Sequence, residues 1–309
     1  MLAIYKKQNG GVEEIPYYTK NCWVNVTNPT ILEIDKLKKE YHLPDEFIED
    51  ILDDDERSRM EIDGRWLMIL IRIPVYTSKE EMSFSTVPLG ILISQNTIIT
   101  ICNQENELVN DILEGNVKGI NIEDSYSFVL LIFNLSASYY LRFMKIIIRR
   151  TNQIEHDIRK SIENSQLNNL LKIQKSLVYF VTSLRSNDFL MNKLQRSKLI
   201  DINMIDQEVL EDVQIDYKQA IETATIHSDI LTGMMDAFAS VISNNLNIVM
   251  KRLTVITLCV MIPSIFSGLF GMNVPNFLEE SPVAFYCVVA ASLLVPTIVV
   301  IVLRRMRWF

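Results

Sequence analysis

LTVITLCVMIPSIFSGLF, residues 253–270, and VAFYCVVAASLLVPTIVVIVL, residues 283–303, decide how this chain is read. Between Leu253 and Leu303 the only charged residues are Glu279 and Glu280, in a short connection that also holds Gly271, Met272, Asn273, Val274 and Pro275. As helices, the two runs extend about 27 Å and about 32 Å at about 1.5 Å per residue, against a hydrocarbon core of about 30 Å. They predict a two-helix transmembrane hairpin. Lys251 and Arg252 precede the first run, Arg304, Arg305 and Arg307 follow the second, and the connection has no basic residue. Under the positive-inside rule both flanks are cytosolic, so the chain is expected in the cytoplasmic membrane with both termini inside. Trp308 and Phe309 are expected at the inner interface.

Setting aside those five basic residues and two glutamates leaves 25 Lys+Arg and 36 Asp+Glu in residues 1–250, a net charge of −11. Such a surface repels nucleic acid and attracts cations. The four cysteines, at 22, 102, 259 and 287, form no CxxC pair and no zinc framework. No HExxH, GxSxG or Walker loop occurs, and His42, His156 and His227 are far apart in sequence, which argues against an enzyme.

Strand-like stretches concentrate in the first 105 residues: Leu2–Tyr5, Cys22–Val26, Trp66–Pro74, and Gly90–Ser94 with Thr97–Cys102 joined at Gln95–Asn96. Short helices are expected after Pro29–Thr30 and after Pro44, taken as a first-turn residue, giving an α/β domain in 1–121 with a mixed sheet. No glycine lies between Gly119 and Gly233, and no proline between Pro88 and Pro263. Long helices follow: an antiparallel pair in 122–205, Ile122–Glu163 and Gln166–Ser197 turning near Asn164–Ser165, then one helix from Asp206 through the first span to 270. Ser125–Leu141 holds 17 uncharged residues, but Asn134, four serines and three tyrosines mark it as a buried helix face, not a span.

Along the last helix, Asp236, Ser240, Ser243, Asn247, Met250, Thr254, Thr257, Met261, Ser264, Gly268 and Gly271 recur in alternating steps of 4 and 3. That is the 3.5-residue period of helices around a common axis. Where a coiled coil has leucine, this seam is small, hydroxylic, amide or methionine. Small-residue packing inside a membrane is one reading; a polar path lined by several copies is the other. One hairpin cannot enclose a path alone, so the second reading requires an oligomer.

Gly271–Met272–Asn273, closing the first of two C-terminal spans, resembles the GMN signature of the CorA magnesium transporters. So do Asn247–Thr254 at the membrane entry and Leu43–Pro44 through Glu49–Asp50 near the N-terminus. Phe270 stands where the family usually has tyrosine. The resemblance covers essentially the whole chain. It implies a funnel-shaped homopentamer in the lipid bilayer, with a cytosolic α/β domain followed by long α-helices and the hairpin. It further implies influx of Mg²⁺, with Co²⁺ and Ni²⁺ as further candidate ions, and no organic cofactor.

The resemblance also assigns roles. Gly271, Met272 and Asn273 become the outward mouth in a loop spanning 271–282, with 283–303 as the second span and 304–309 as a basic tail. Glu279 and Glu280 would draw cations to it. Asp236, Asn247, Met250, Leu253, Thr254, Thr257, Met261, Ser264 and Gly268 become lining and gate, the methionines as apolar constrictions. Asp50, with Glu49 beside it, and Asp212 become a divalent-sensing pair shared by neighbouring subunits, so that cytosolic Mg²⁺ closes the channel. A Zn²⁺ transporter of the same architecture and a membrane-tethered scaffold are the alternatives.

Overall fold

The computed structural model describes residues 1–309 except 9–10, 78–82, 95–96, 161–163, 198–206, 273–281 and 307–309. The chain divides into two compact units, Met1–Gly233 and Met234–Phe309.

The first unit is built on a seven-stranded mixed sheet. Its strands are β1 (Leu2–Gln8), β2 (Gly11–Glu14), β3 (Cys22–Thr27), β4 (Arg59–Asp63), β5 (Trp66–Thr77), β6 (Ser83–Ser94) and β7 (Thr97–Cys102). The spatial order is β2-β1-β3-β7-β6-β5-β4. Among the described strands only β3 and β7 pair in parallel, with Val24 opposite Ile99. Every residue of the central strand β7 is buried. The two strands that the sequence did not reveal, β2 and β4, are the two edges. GVEE and RMEID carry the charges that blunt an edge against further pairing, and so lack an apolar strand pattern. β5 and β6 also run longer than expected, and β6 contains Pro88.

On one face lie α1 (Ile31–Tyr41) and α2 (Asp45–Leu52). Thr30 and Glu33 form a reciprocal capping box at the start of α1, and the bonds from Thr30 hold the Glu33 carboxyl below its ordinary pKa. His42 ends the helix in a left-handed conformation. Pro44 is the N-cap of α2, one position earlier than expected. α2 buries Phe47, Ile48 and Ile51 against the sheet. Gly90 of β6 lies directly beneath: a Cβ there would sit 2.3 Å from Ile51 Cδ1. A short α3 (Glu107–Leu113), capped by Asn106, is an element the sequence reading did not include.

The other face is covered by α4 (Ser125–Lys160) and α5 (Asn164–Arg196). The expected turn at Asn164–Ser165 is instead the first turn of α5. Phe128 of α4 packs on Trp23, and Tyr140 packs edge-on against Phe180 of α5. The most apolar 18-residue window of α4 has mean hydropathy 1.3 and is 56% buried within the protein. The corresponding windows of α6 (Gln207–Phe270) and α7 (Pro282–Arg305) reach 2.1 and 2.6, with 0% and 6% buried. All three are long and apolar enough to cross a membrane; only α4 is already covered by protein. The early part of α6 belongs to the first unit, burying Leu210, Val213, Tyr217, Ala220, Ala224 and Leu231 at steps of 3, 4 and 7.

In the second unit, α6 and α7 each contain a proline, Pro263 and Pro296. Both line a cavity of about 340 Å³ together with Cys259, Ser292, Thr297 and Ile301.

Candidate functional site

At about 100° per residue, Met250, Thr254, Thr257, Met261, Ser264 and Gly268 fall within about 40° of one line along α6. All six are exposed in the single chain. The half-buried residues Val255, Leu258, Ile262 and Phe266 lie about 125° round from that line. Cys259 and Pro263, which line the cavity with α7, lie further round still, about 180° and about 140° from the line. The polar stripe therefore faces away from the chain's own second apolar helix. Leu253 is 53% exposed and sits about 60° off the line, on the stripe's flank.

The stripe's hydroxyls share one polarity. Thr254 Oγ1 donates to Met250 O at 2.9 Å, Thr257 Oγ1 to Leu253 O at 2.9 Å, and Ser264 Oγ to Val260 O at 2.8 Å. Their protons are engaged on their own helix, so each oxygen presents lone pairs outward and acts as an acceptor. The water around a cation points its hydrogens outward, which matches such a surface. Nothing among the described residues within 4 Å would meet a Cβ on Gly268, so no described neighbour requires a glycine there.

Before the membrane-entry residues Lys251 and Arg252, positions 239–250 are exposed on every side of α6. They include Asp236's stripe partners Ser240, Ser243 and Asn247, and also Val241, Leu246 and Val249, the last two 60% and 57% exposed. Asp236 is exposed as well. A helix that shows branched apolar residues around its circumference is stable only when something covers it.

At the outer end, the Gly271 amide donates to Ser267 O at 2.9 Å, closing the last turn, and Met272 is exposed. Asn273, Glu279 and Glu280 lie outside the described residues.

The carboxylates expected to sense cations sit on two elements of the first unit. Asp50, on α2, is half-buried and paired with the Arg59 guanidinium at the start of β4. Arg59 also holds Glu56 at 2.5 Å and Glu61 at 3.5 Å. Glu49 is exposed, as is Asp212 on α6. No ion pair or hydrogen bond joins Asp50 to Asp212 among the described residues, and no three His, Cys, Asp or Glu side chains there form a metal-holding group. Arg59 was missed in the sequence. The available signal was a pair of basic residues, Arg57 and Arg59, following the acidic run that ends at Glu56.

A family model described as CorA-like Mg²⁺ transporter protein matches residues 18–305. The chain belongs to that family. The CorA-like chains are transporters, not enzymes. The cobalt/magnesium transport protein CorA of Methanocaldococcus jannaschii is 27% identical over 93% of this chain and 90% of its own length. That of Thermotoga maritima is 22% identical over 93% and 83%. The complete structure of the CorA magnesium transporter from Methanocaldococcus jannaschii superposes with a TM-score of 0.80, at 23% identity, over 100% of this chain and 99% of the other. The CorA fold thus extends over the whole chain, apolar C-terminal helices included.

Proposed function

We propose that five copies of this CorA-like chain form a channel that admits Mg²⁺ to the cytosol and closes when cytosolic Mg²⁺ is plentiful. The carrying observation is the exposed stripe of α6, turned away from α7 and lined by acceptor oxygens. Mg²⁺ dehydrates reluctantly and keeps several waters. A path of hydroxyl and amide acceptors holds those waters by hydrogen bonds without trapping the ion as a ring of carboxylates would. Copies of α6 placed side by side also cover Val241, Leu246 and Val249, which this chain leaves bare before the membrane begins.

In this reading residues 1–121 form the cytosolic α/β domain, 122–205 the helical pair and 206–270 the lining helix, whose part from 253 crosses the membrane. The loop 271–282 carries Asn273 at the mouth, with Glu279 and Glu280 drawing cations; 283–303 is the outer span and 304–309 the basic cytosolic tail. Met250 and Met261 narrow the path with apolar rings. Asp50 of one subunit and Asp212 of the next hold the regulatory Mg²⁺, with Glu49 beside them. The donor chemistry fits, since both are carboxylates and Asp212 has no ion pair among the described residues, while Asp50 must exchange its Arg59 partner for the ion. At ten times Kd each site contributes about 1.4 kcal/mol. Five sites give roughly 7 kcal/mol, more than the about 5.5 kcal/mol that reverses a 1:99 equilibrium.

The test is uptake into liposomes holding the purified protein, with Mg²⁺, Co²⁺, Ni²⁺ and Zn²⁺ in competition and with and without a membrane potential. Mg²⁺ uptake lost in Asn273→Ala is expected. Uptake untouched by that change, or absent in the wild type, refutes the reading, and a preference for Zn²⁺ replaces the ion.

A further inference from the structure

Asn187 of α5 is polar yet 0% exposed. Its side-chain oxygen accepts from Ser58 Oγ at 2.6 Å and from the Arg72 amide at 3.0 Å. Its nitrogen donates to Arg72 O at 2.7 Å and to Tyr217 Oη at 3.4 Å. A carboxamide can make four such bonds, and all four are made. The sheet explains the first three. Pairing of β4 to β5 stops at Arg59 opposite Leu70, two residues short of Arg72. The Asn187 amide engages both main-chain groups of Arg72, as the next residue of a strand would.

Two further contacts make this more than a patch on a sheet edge. The Arg72 guanidinium reaches back to the segment after α2, donating to Asp54 O at 2.8 Å and Glu56 O at 2.7 Å. The side chain of that same Glu56 holds Arg59, which holds Asp50. On the other side, Tyr217 is fully buried on α6, one and a half turns beyond Asp212. A chain of contacts thus runs within one subunit from Asp54 and Glu56, in the segment after α2, through Arg72 and Asn187 to Tyr217.

We infer that Asn187 is a positioning residue that fastens helix α6 to the acidic segment 50–56, so that a cation-driven shift of that segment is delivered to α6 by the subunit itself. Asn187 and Tyr217 are shielded from water and all four hydrogen bonds of the Asn187 carboxamide are made, so a displacement of a neighbour that left Asn187 behind would strand a buried donor or acceptor. The two ends therefore move together. The inference rests on the regulatory reading of Asp50 and Asp212, and adds a route inside each subunit to the bridge between subunits.

Tyr217→Phe tests it, because one hydroxyl leaves and the ring stays. The measurements, in liposomes, are maximal Mg²⁺ influx at low lumenal Mg²⁺ and the cytosolic-side Mg²⁺ concentration that halves it. Maximal influx is expected to be unchanged, with half-inhibition shifted roughly three- to tenfold upward, as the loss of one net hydrogen bond allows. Ser58→Ala, which removes a different bond to Asn187, is expected to shift it the same way and serves if Tyr217→Phe does not assemble. Tyr139→Phe removes a hydroxyl bonded to Asp111 outside the junction and is expected to leave half-inhibition alone. If Asp212→Lys abolishes inhibition while Tyr217→Phe and Ser58→Ala match the wild type, or if Tyr139→Phe shifts it equally, the junction carries no signal and the inference falls by itself. If Asp212→Lys leaves inhibition intact, the regulatory reading falls and takes the inference with it.

Discussion

Replacing Gly90 by alanine puts a methyl group where α2 already rests. The new Cβ would lie 2.3, 2.4 and 2.9 Å from Cδ1, Cγ1 and Cγ2 of Ile51, against about 3.5–4.0 Å for an ordinary carbon contact. Ile51 is 0% exposed and branched at Cβ, so it has no free rotamer in which to withdraw. Overpacking of this kind costs roughly 1–3 kcal/mol. At roughly 2–4 °C per kcal/mol for a unit of this size, the melting midpoint should fall by roughly 2–12 °C. Ile51→Ala removes all three clashing atoms and by itself costs roughly 2–5 kcal/mol through the cavity it leaves. In the double variant the methyl added by Gly90→Ala enters that cavity, so this second change should cost nothing further there. The assay is thermal unfolding of the four detergent-solubilised proteins followed by circular dichroism. Simple additivity of the two losses would falsify the contact between Gly90 and Ile51 as described.

Arg59→Gln frees Asp50 from its guanidinium, so half-inhibition should occur at several-fold lower Mg²⁺; an unchanged or higher value would show that Arg59 does not compete with the ion. Thr257→Val keeps the shape of the side chain but removes an acceptor from the stripe, and should reduce influx, while Thr257→Ser should retain it; equal rates for all three would place Thr257 outside the ion's path. Burial pushes the Cys102 thiol up to about 11, leaving little thiolate near pH 7.5. Maleimide followed by peptide mass mapping should therefore leave Cys102 unmodified until the protein is unfolded, and rapid labelling of the native protein would contradict its packing.

The apolar C-terminal helices and the long helices before them were legible because each has a local cause, a run without charge or a stretch without glycine and proline. The buried face of α4 was legible for the same reason, in its serines and tyrosines. What escaped depends on partners distant in the chain. β2 and β4 are edge strands whose charges hide the alternation, and Pro88 sits inside β6 opposite Arg72. Asn187 lies in Ser186–Asn187–Asp188, a tripeptide that reads as helix surface until the sheet edge it completes is known. The pairing of Asp50 with Arg59 likewise exists only because the chain after α2 turns back into β4. Of the stripe, the spacing was in the sequence; the direction it faces, and the fact that its hydroxyl protons are engaged on their own helix, were not.

Pro263 and Pro296 have no amide hydrogen, so the carbonyls of Cys259 and Ser292, four residues earlier, lack their usual helical donor. Both prolines border the same crevice, about 15 Å and about 20 Å along their apolar runs from the start of each. Flexing either helix at that level therefore breaks no bond that was ever made. The stiffest-looking part of the protein has its two most yielding points side by side.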